Sequence, residues 1–278
     1  MGCNPSYTST ELEHLYGSAK TRWVIVEADL LDNIIPALMA HRIPASSVLI
    51  FDAAEGSTQS AGFKSWTTLL QSGEQDWIRF NDRATSTTTR AALLSTSGTT
   101  GLPKLAALSH YAHVSAGVAM SHMDMKPYEV SRLIAIPQFH AFAAPLVHTS
   151  PIRSGIKTYI MRRFRLGEFA RYVERHKITE TAVVPPMVSS LVGSGVPSTM
   201  LQSLRMVRCA GSSLYDSTRD AMYKRLHADA VVSQVWGMTE LGWISSFEWP
   251  EKDTSGSVGR LLPLMEARYV KLHISDST

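Results

Sequence analysis

The sequence predicts an α/β fold in which βαβ units build a largely parallel sheet. Short apolar runs rich in β-branched residues alternate along the chain with longer segments of helical spacing. Strands that alternate with helices of this length are typical of parallel sheets. Two segments with ligand-binding character, residues 98–101 and 237–240, each follow an apolar run. Because ligands of parallel sheets bind beyond the carboxyl ends of the strands, we expect a ligand site there.

The individual elements follow from the same patterns. Strands are predicted at residues 23–26, 48–51, 91–94, 105–108, 133–136, 157–160, 181–184, 204–207 and 231–235. Helices are predicted at residues 30–41, 110–123, 166–176 and 217–227. Residues 54–90 are rich in Ser, Thr and Gly, which predicts an extended surface excursion, and the threonine cluster at 85–89 predicts a loop within it.

Composition and charge exclude several classes of protein. Of the 278 residues, 44% are hydrophobic and 18% are charged, which is ordinary for a globular protein with a sizeable core. Lys and Arg total 27 against 24 Asp and Glu, and no dense basic stripe is present, so nucleic acid is not an expected partner. No apolar run approaches the ~18 residues of a membrane-spanning helix, so no transmembrane segment is expected.

The cysteines and the chain ends bear on location. Cys3 and Cys209 form neither a disulfide framework nor a CxxC metal pattern, which favours a reducing compartment. The N-terminus has no secretory pattern, and the C-terminus has no peroxisomal tripeptide. Gly2 and Cys3 fit a lipidation motif, but so short a motif often matches by chance, and we favour that interpretation. We expect an intracellular protein, cytoplasmic or peroxisomal.

The most informative stretch is residues 95–104, with the sequence Ser95-Thr96-Ser97-Gly98-Thr99-Thr100-Gly101-Leu102-Pro103-Lys104. Its glycines allow a tight turn that brings backbone amides close to an anion. Its hydroxyls can donate to phosphate oxygens, and Lys104 supplies a mobile positive charge. The glycine spacing differs from that of a P-loop. Composition alone favours a surface loop that binds nothing.

A second stretch, Gln234-Val235-Trp236-Gly237-Met238-Thr239-Glu240, has chemistry suited to a nucleotide. Trp236 offers a flat face for a purine, and Gly237 permits close approach. Thr239 can donate to a phosphate, and Glu240 is a hard oxygen ligand suited to Mg²⁺. The alternative interpretation is a strand end with a core tryptophan and a solvated glutamate.

In this order, residues 95–104 closely resemble the signature of the adenylate-forming superfamily. That superfamily includes acyl-CoA and aryl-CoA ligases, firefly-luciferase-like enzymes and the adenylation domains of nonribosomal peptide synthetases. The resemblance extends over most of the chain, through Asn4-Pro5-Ser6-Tyr7-Thr8 with Glu11-Leu12, Pro137-Gln138-Phe139-His140, Gly211-Ser212-Ser213-Leu214, residues 234–240, and Gly256-Ser257-Val258-Gly259-Arg260 with Pro263 and Glu266. It implies layered βαβ subdomains of the superfamily's large N-terminal domain, in truncated form.

The resemblance also implies roles for individual residues. It assigns catalysis to Lys104, Thr239 and His140. It assigns nucleotide contacts to Thr96, Ser97, Gly98, Thr99, Thr100, Gly101, Lys104, Gly211, Ser212, Ser213, Gln234, Trp236, Gly237, Met238 and Thr239, a magnesium contact to Glu240, and the acid pocket to Phe139, His140 and Gly211. The implied substrates are a small carboxylic acid, ATP with Mg²⁺, and coenzyme A, whose thiol captures the acyl-adenylate.

Several positions depart from the family pattern. The family usually has an aromatic residue where Ser95 stands and a glycine where Leu105 stands. Amino-acid-activating relatives have Asp at the position of His140, and a neutral imidazole cannot pair with a substrate ammonium group. His140 therefore favours an acid without an α-amino group.

Residues 1–278 resemble a partial AMP-binding domain. The family's Tyr-x-Thr-Gly-Asp segment and small C-terminal domain have no counterpart in them, and no carrier domain follows. We therefore expect weak or no ligase activity from this chain alone. A nucleotide-binding pseudoenzyme and an amino-acid adenylation domain remain the alternatives.

Overall fold

The computed structural model describes residues 1–51, 59–60, 62–96, 101–121, 123 and 125–269. The chain divides into two compact units, Met1–His113 (unit 1) and Val114–Thr278 (unit 2). The predicted α/β class is confirmed, and every predicted strand and helix has a counterpart whose ends differ by a few residues. Within the described residues, no helix combines the length and apolar character needed to cross a membrane.

Unit 1 contains a mixed sheet and a separate strand pair. Its elements are α1 (Ser9–Ala19), β1 (Val24–Val26), α2 (Leu31–Ala40), β2 (Val48–Ile50), β3 (Gln59–Ser60), β4 (Phe63–Ser65), a 3₁₀-helix (Trp66–Ser72), α3 (Arg83–Thr88), β5 (Arg90–Ser95) and β6 (Leu105–Ser109). Helix α4 (His110–Ser121) spans the boundary between the units. The sheet has the order β1-β2-β4-β3, with β2 parallel to β1 and β4, and β3 antiparallel to β4.

Helix α1 is an element that the sequence analysis did not predict. Thr8 caps it, because the Thr8 hydroxyl accepts from the Glu11 amide while the Glu11 carboxylate accepts from the Thr8 amide. This reciprocal capping box satisfies two amide donors that a helix start otherwise leaves unpaired. Leu12, Leu15 and Tyr16 lie on one face and are buried. The helix therefore packs its apolar face into unit 1, where α1 contacts α2.

Two local predictions in unit 1 are wrong. The threonine cluster at 85–89 was expected to be a loop, but helix α3 covers most of it. The Asp82 carboxylate accepts from the Thr85 amide and caps this helix. The hydroxyl of Thr87 bonds back to the Arg83 carbonyl, and that of Thr88 to the Ala84 carbonyl. The hydroxyls therefore bond within the helix instead of competing with it.

The second correction concerns the position of residues 98–101. They were expected at the carboxyl end of a strand in a parallel sheet. Strands β5 and β6, which flank them, instead pair antiparallel with each other as a separate two-stranded sheet. Ser95 pairs with Leu105 at the end of this ladder. Residues 98–100 lie outside the described residues, so the correction concerns the strands on either side of them.

Unit 2 is built on a larger sheet. Its elements are β7 (Ser131–Ile134), a π-helix (Pro145–Thr149), α5 (Ser150–Ser154), β8 (Lys157–Ile160), α6 (Leu166–Arg175), β9 (Glu180–Val183), α7 (Pro185–Gly193), a 3₁₀-helix (Ser198–Leu201), β10 (Met206–Cys209), α8 (Asp216–Tyr223), β11 (Val231–Met238), β12 (Gly242–Ser246) and β13 (Arg260–Leu261). The strand order is β13-β12-β11-β10-β9-β7-β8.

The sheet of unit 2 has a parallel part and an antiparallel end. Strands β8, β7, β9, β10 and β11 are parallel to one another, whereas β12 pairs antiparallel with both β11 and β13. Strands β7, β9 and β10 are buried along their whole length, as expected of parallel strands covered on both faces. Helix packing against this sheet forms the main core, which includes Phe169, Val173, Val188, Leu191 and Met222.

Candidate active site

Three of the predicted ligand segments lie at one edge of the unit 2 sheet. Residues 137–140 follow β7, residues 211–213 follow β10, and residues 234–240 include the last part of β11. These strands belong to the parallel series β11-β10-β9-β7. Because neighbouring parallel strands end at the same edge, the predicted acyl segment and two predicted nucleotide segments share that edge.

Most predicted contact residues of unit 2 are accessible to a ligand. The exposed or half-buried ones are Phe139, His140, Gly211, Ser212, Ser213, Trp236, Gly237, Met238, Thr239 and Glu240. Trp236 is 47% exposed, so it is not the core tryptophan of the alternative interpretation. The exposed part of β11 begins at Trp236, immediately after the buried Val235. The sequence therefore places an aromatic face at the point where the strand leaves the core.

Residues 234–246 form a β-hairpin with a tight backbone contact. Strands β11 and β12 pair antiparallel, with an irregularity in register between Trp236 and Gly237. A Cβ atom added at Gly237 would lie 2.5 Å from the Gly242 carbonyl oxygen. Glycine is therefore required at position 237 by the hairpin itself. The sequence pattern indicates only the approach of a nucleotide at this glycine and does not reveal the local reason.

Gln234 has a bracing contact that sequence reasoning also missed. Its side-chain oxygen accepts a 2.8 Å hydrogen bond from the Leu214 amide, and its backbone pairs with Cys209. Gln234 is buried, so this bond is shielded from water. Gly211, between Cys209 and Leu214, has a φ of +97°, a conformation that favours glycine. Gln234 thus fixes the shape of the loop that contains Ser212 and Ser213.

His140 is held in one orientation by its own segment. Its backbone amide donates to the Pro137 carbonyl, and its backbone carbonyl accepts from the amides of Ala143 and Ala144. Its ring Nδ1 accepts a 3.2 Å hydrogen bond from the Phe142 amide. Because a backbone amide is always a donor, Nδ1 carries no proton, and the neutral ring has its proton on Nε2.

The environment of His140 favours that neutral form. Desolvation by the surrounding protein lowers the pKa of His140 below its ordinary value, although the side chain keeps an exposed surface. Protonation of Nδ1 would also break the hydrogen bond from the Phe142 amide. The arrangement gives a neutral imidazole with one N–H donor available for a ligand oxygen.

Trp243, in the hairpin of residues 234–246, contacts the chain just after the acyl segment 137–140. Its indole N–H donates to the Phe142 carbonyl at 3.0 Å, and the two rings lie 5.3 Å apart. The Arg208 guanidinium lies 5.8 Å from the centre of the Trp243 ring, on strand β10. Trp243 is 3% exposed, so these contacts are buried. An aromatic residue three positions after Glu240 is the only signal of this contact in the sequence, and it does not identify the partner.

A buried ionic network crosses the sheet beneath this region. The Glu180 carboxylate accepts from Arg132 at 3.2 Å and from Arg208 at 2.8 Å, and its other oxygen accepts from Tyr128 at 3.2 Å. Both arginines and Glu180 are almost fully buried. Burial raises the pKa of Glu180, but the positive charges of Arg208 and Arg132 outweigh it and hold the pKa below the ordinary value. The network therefore ties β7, β9 and β10 together.

The loop after β12 is fixed by a second buried carboxylate. Asp253 accepts from the amides of Ser255 and Gly256 at 2.7 and 3.0 Å, and from the Arg219 guanidinium at 2.9 Å. Burial raises the pKa of Asp253, but these hydrogen bonds and the Arg219 charge hold it below the ordinary value. The stretch Gly256–Arg260, singled out in the sequence, is therefore anchored to helix α8.

The phosphate segment belongs to unit 1, and its centre lies outside the described residues. Ser97, Gly98, Thr99 and Thr100 are the residues concerned. At the base of the hairpin, the Thr96 amide donates to the Lys104 carbonyl at 2.9 Å. Gly101 has a φ of +105°, which favours glycine, and the Lys104 side chain is exposed. The described part is thus a closed hairpin base with an accessible cation.

A magnesium site can be tested only against Glu240 and its surroundings. In the part of the chain that the structure describes, no three His, Cys, Asp or Glu side chains gather closely enough to hold a metal ion. Glu240 itself is exposed. A single exposed carboxylate fits an ion such as Mg²⁺, which keeps several waters and takes its other ligands from substrate phosphates.

Similarity to known proteins extends over nearly the whole chain. Residues 1–273 match a family model described as AMP-binding enzyme. The phenylacetyl-CoA ligase epaB and the acyl-CoA ligase azaF, both of Aspergillus niger, are each 39% identical to this chain over 283 residues. The alignments cover 100% of this chain, but only 52% and 53% of those two proteins. The chain therefore spans about half the length of these curated relatives.

A solved structure shows the same fold. The ATP-bound MatB of Rhodopseudomonas palustris superposes with a TM-score of 0.73 at 22% sequence identity, over 94% of this chain and 49% of that chain. At this identity the likeness concerns the backbone architecture. It shows that the backbone fold of this chain recurs in a protein whose structure was solved with ATP bound.

Proposed function

This chain belongs to the AMP-binding enzyme family, and from that premise we propose that it is the nucleotide- and acid-binding part of an ATP-dependent acid–thiol ligase. The proposed reaction joins a carboxylic acid to ATP as an acyl-adenylate and then transfers the acyl group to coenzyme A. In the first step a carboxylate oxygen attacks the α-phosphorus, and pyrophosphate leaves with the electrons of the broken P–O bond. In the second step the thiol replaces AMP on the acyl carbon.

The observation that carries this proposal is the meeting of three segments at one sheet edge. The acyl segment with His140, the loop Gly211–Ser213 and the hairpin 234–246 all follow carboxyl ends of the same parallel series. Two buried contacts connect them, from Gln234 to Leu214 and from Trp243 to Phe142. A site that activates an acid must bind the acid beside the nucleotide, and these contacts fix the two kinds of segment relative to each other.

The proposed roles follow from accessible donors and charges. Lys104 neutralises phosphate charge, and the Thr239 hydroxyl donates to a phosphate oxygen. The exposed ring of Trp236 stacks on the purine. Glu240 holds Mg²⁺, which supplies additional shielding of phosphate charge when it is bound. Because little covalent chemistry falls to the protein in phosphoryl and adenylyl transfer, positioning and electrostatics account for most of the catalysis.

His140 restricts the class of acid. Its neutral ring offers an N–H donor to a carboxylate or phosphate oxygen, but it offers no negative charge for an ammonium group. Burying an unpaired ammonium beside it would be costly. We therefore assign the substrate to carboxylic acids without an α-amino group. The similarity to a phenylacetyl-CoA ligase supports an aryl or arylacetic acid as the first candidate.

ATP–pyrophosphate exchange with a matched pair of acids tests the proposal. Phenylacetate and phenylglycine differ by one α-amino group, so their comparison isolates the effect of His140. Exchange that depends on phenylacetate and not on phenylglycine supports an acid–thiol ligase. Exchange with phenylglycine alone indicates an amino-acid adenylation domain. ATP binding that no aryl or fatty acid of a panel alters, together with no exchange, indicates a nucleotide-binding pseudoenzyme.

A further inference from the structure

Strands β5 and β6 with the residues between them form the phosphate hairpin, and the N-terminal segment of unit 1 contacts both of its sides. The Tyr7 hydroxyl lies 3.0 Å from the Ser95 hydroxyl, and His14 Nε2 lies 3.0 Å from the Pro103 carbonyl oxygen. Ser95 ends β5, and Pro103 lies two residues before β6. The two contacts bridge 88 and 89 positions in the sequence. They therefore hold the base of the hairpin at both of its strands.

Tyr7 is itself fixed from several directions. Its backbone amide donates to the Asn4 carbonyl, and its carbonyl accepts a 2.6 Å hydrogen bond from the Asn33 side chain. Its ring packs against the buried core of unit 1. A hydroxyl on so constrained a ring can fix the position of its partner, because little side-chain freedom remains to be lost.

His14 contacts the other side of the hairpin from a regular helix. It lies in α1, whose start is capped by Thr8 and whose apolar face is buried. Because the Pro103 carbonyl can only accept, the His14 Nε2 atom donates. The neutral Nε2–H tautomer and the charged ring both provide that donor, so this contact is independent of the charge of His14.

We propose that Tyr7 and His14 are positioning residues that fix the base of the phosphate hairpin for nucleotide binding. Ser95 supports this role, because its hydroxyl forms the hydrogen bond with the Tyr7 hydroxyl. The family pattern has an aromatic residue at this position, which offers no such hydroxyl at the same place. The hydrogen bond from the Thr96 amide to the Lys104 carbonyl lies next to both contacts, so its stability reports on them. The inference rests on the proposed function insofar as the ligand is a nucleotide.

Hydrogen exchange at the Thr96 amide tests, without any ligand, whether Tyr7 and His14 hold the base of the phosphate hairpin. Tyr7→Phe removes only the hydroxyl, and we expect it to speed exchange at Thr96 by about 3- to 10-fold, the effect of one hydrogen bond. Ser95→Ala should have the same effect, and the double variant should exchange no faster than either single one, because both remove the same bond. Tyr111→Phe is the control, since Tyr111 is an exposed tyrosine of the same unit.

Two substitutions at His14 test the second contact, one that removes the side-chain donor and one that keeps it. His14→Leu removes the donor to Pro103 and should speed exchange at Thr96, whereas His14→Gln keeps a side-chain N–H donor and should restore much of the protection. If Tyr7→Phe and His14→Leu leave the exchange rate at Thr96 unchanged, Tyr7 and His14 do not hold the base of the hairpin.

Titration with ATP and Mg²⁺ distinguishes failure of the positioning role from failure of the proposed function. If the unaltered protein binds ATP, Tyr7→Phe and His14→Leu should each weaken that binding by about 2- to 10-fold while Tyr111→Phe does not. Unchanged ATP affinity in both variants would contradict the positioning role. If the unaltered protein binds no nucleotide, the proposed function fails, and the exchange measurements still decide whether Tyr7 and His14 fix the hairpin base.

Discussion

The indole N–H of Trp243 donates to the backbone carbonyl of Phe142 at 3.0 Å, although 101 positions separate the two residues. Trp243 belongs to the hairpin that presents Trp236 and Thr239, and Phe142 belongs to the segment that orients His140. The amide of Phe142 donates to His140 while its carbonyl accepts from Trp243. One peptide segment thus couples the predicted nucleotide hairpin to the predicted acid pocket.

We expect Trp243→Phe to destabilise unit 2 by about 1–3 kcal/mol. The variant keeps an aromatic ring but removes the donor, leaves the buried Phe142 carbonyl without that partner and opens a small cavity. Urea denaturation followed by circular dichroism measures the loss. Trp236→Phe is the matched control, because Trp236 is 47% exposed and a surface change of this kind usually stays within about 0.5 kcal/mol. Equal effects of the two variants would show that the buried bond contributes nothing specific.

The tautomer of His140 is a second testable consequence. Long-range ¹H–¹⁵N NMR at neutral pH should show a protonated Nε2 and an unprotonated Nδ1, with the signal assigned by its loss in His140→Asn. The same spectra recorded over a range of pH should give a His140 pKa below the ordinary value, since desolvation lowers that pKa.

The sign of the stability effect follows from linkage. When the folded pKa of a histidine is depressed, the unfolded chain binds the proton more readily, so this residue lowers stability as pH falls below about 6.5. The penalty is complete below the folded pKa and absent above the unfolded value. His140→Asn should therefore flatten part of the rise in stability between acidic and neutral pH. A protonated Nδ1 at neutral pH would contradict the assignment.

Much of unit 2 could be predicted because its central strands are buried on both faces. Strands β7, β9 and β10 overlap the short apolar runs at residues 133–136, 182–184 and 206–207, which short windows of sequence detect. The same strands also contain the buried charged residues Arg132, Glu180 and Arg208, which an apolar pattern does not reveal. Helix α7 was not predicted, because it begins with Pro185 and Pro186. Proline is compatible with a first helical turn, where the amide has no partner, but it obscures the helical pattern.

The site was predictable to the extent that its chemistry is local. Trp236 is exposed and Thr239 is half-buried, so both side chains are accessible, as the sequence interpretation expects. The contacts of Gln234 and Trp243 could not be predicted in this way, since each side chain hydrogen-bonds to the backbone of a residue distant in sequence. No periodicity or spacing identifies such partners. Helix α1 is the opposite case, because its Thr8–Glu11 capping box is a local signal that was present in the sequence and not used.

Glu180 provides a stability prediction for the buried network. Glu180→Gln removes the negative charge but keeps the shape, which leaves the guanidinium groups of Arg132 and Arg208 buried without their shared carboxylate. We expect a loss of about 3–5 kcal/mol in the free energy of unfolding. Glu174→Gln in helix α6 is the control, because Glu174 is exposed. A loss below about 1 kcal/mol at Glu180 would show that the arginines find equivalent partners, contrary to the expectation.

Gly237→Ala distinguishes a structural glycine from one needed only by a ligand. The added methyl would lie 2.5 Å from the Gly242 carbonyl oxygen, so the hairpin backbone must shift even in the absence of nucleotide. We expect the free protein to lose about 1–3 kcal/mol of stability, as overpacked sites do, measured by urea denaturation. Gly101→Ala is a useful comparison, since its φ of +105° strains a side chain whereas no described atom lies within 4 Å of the new Cβ.

The two glycine variants should also differ in where the damage appears. Hydrogen exchange in Gly237→Ala should increase along β11 and β12, because their antiparallel pairing depends on the close approach of residues 237 and 242. In Gly101→Ala the increase should be confined to β5 and β6 of unit 1. If Gly237→Ala is as stable as the unaltered protein and loses only nucleotide binding, the hairpin tolerates a side chain at 237. The glycine would then be explained by the ligand, as the sequence alone first indicated.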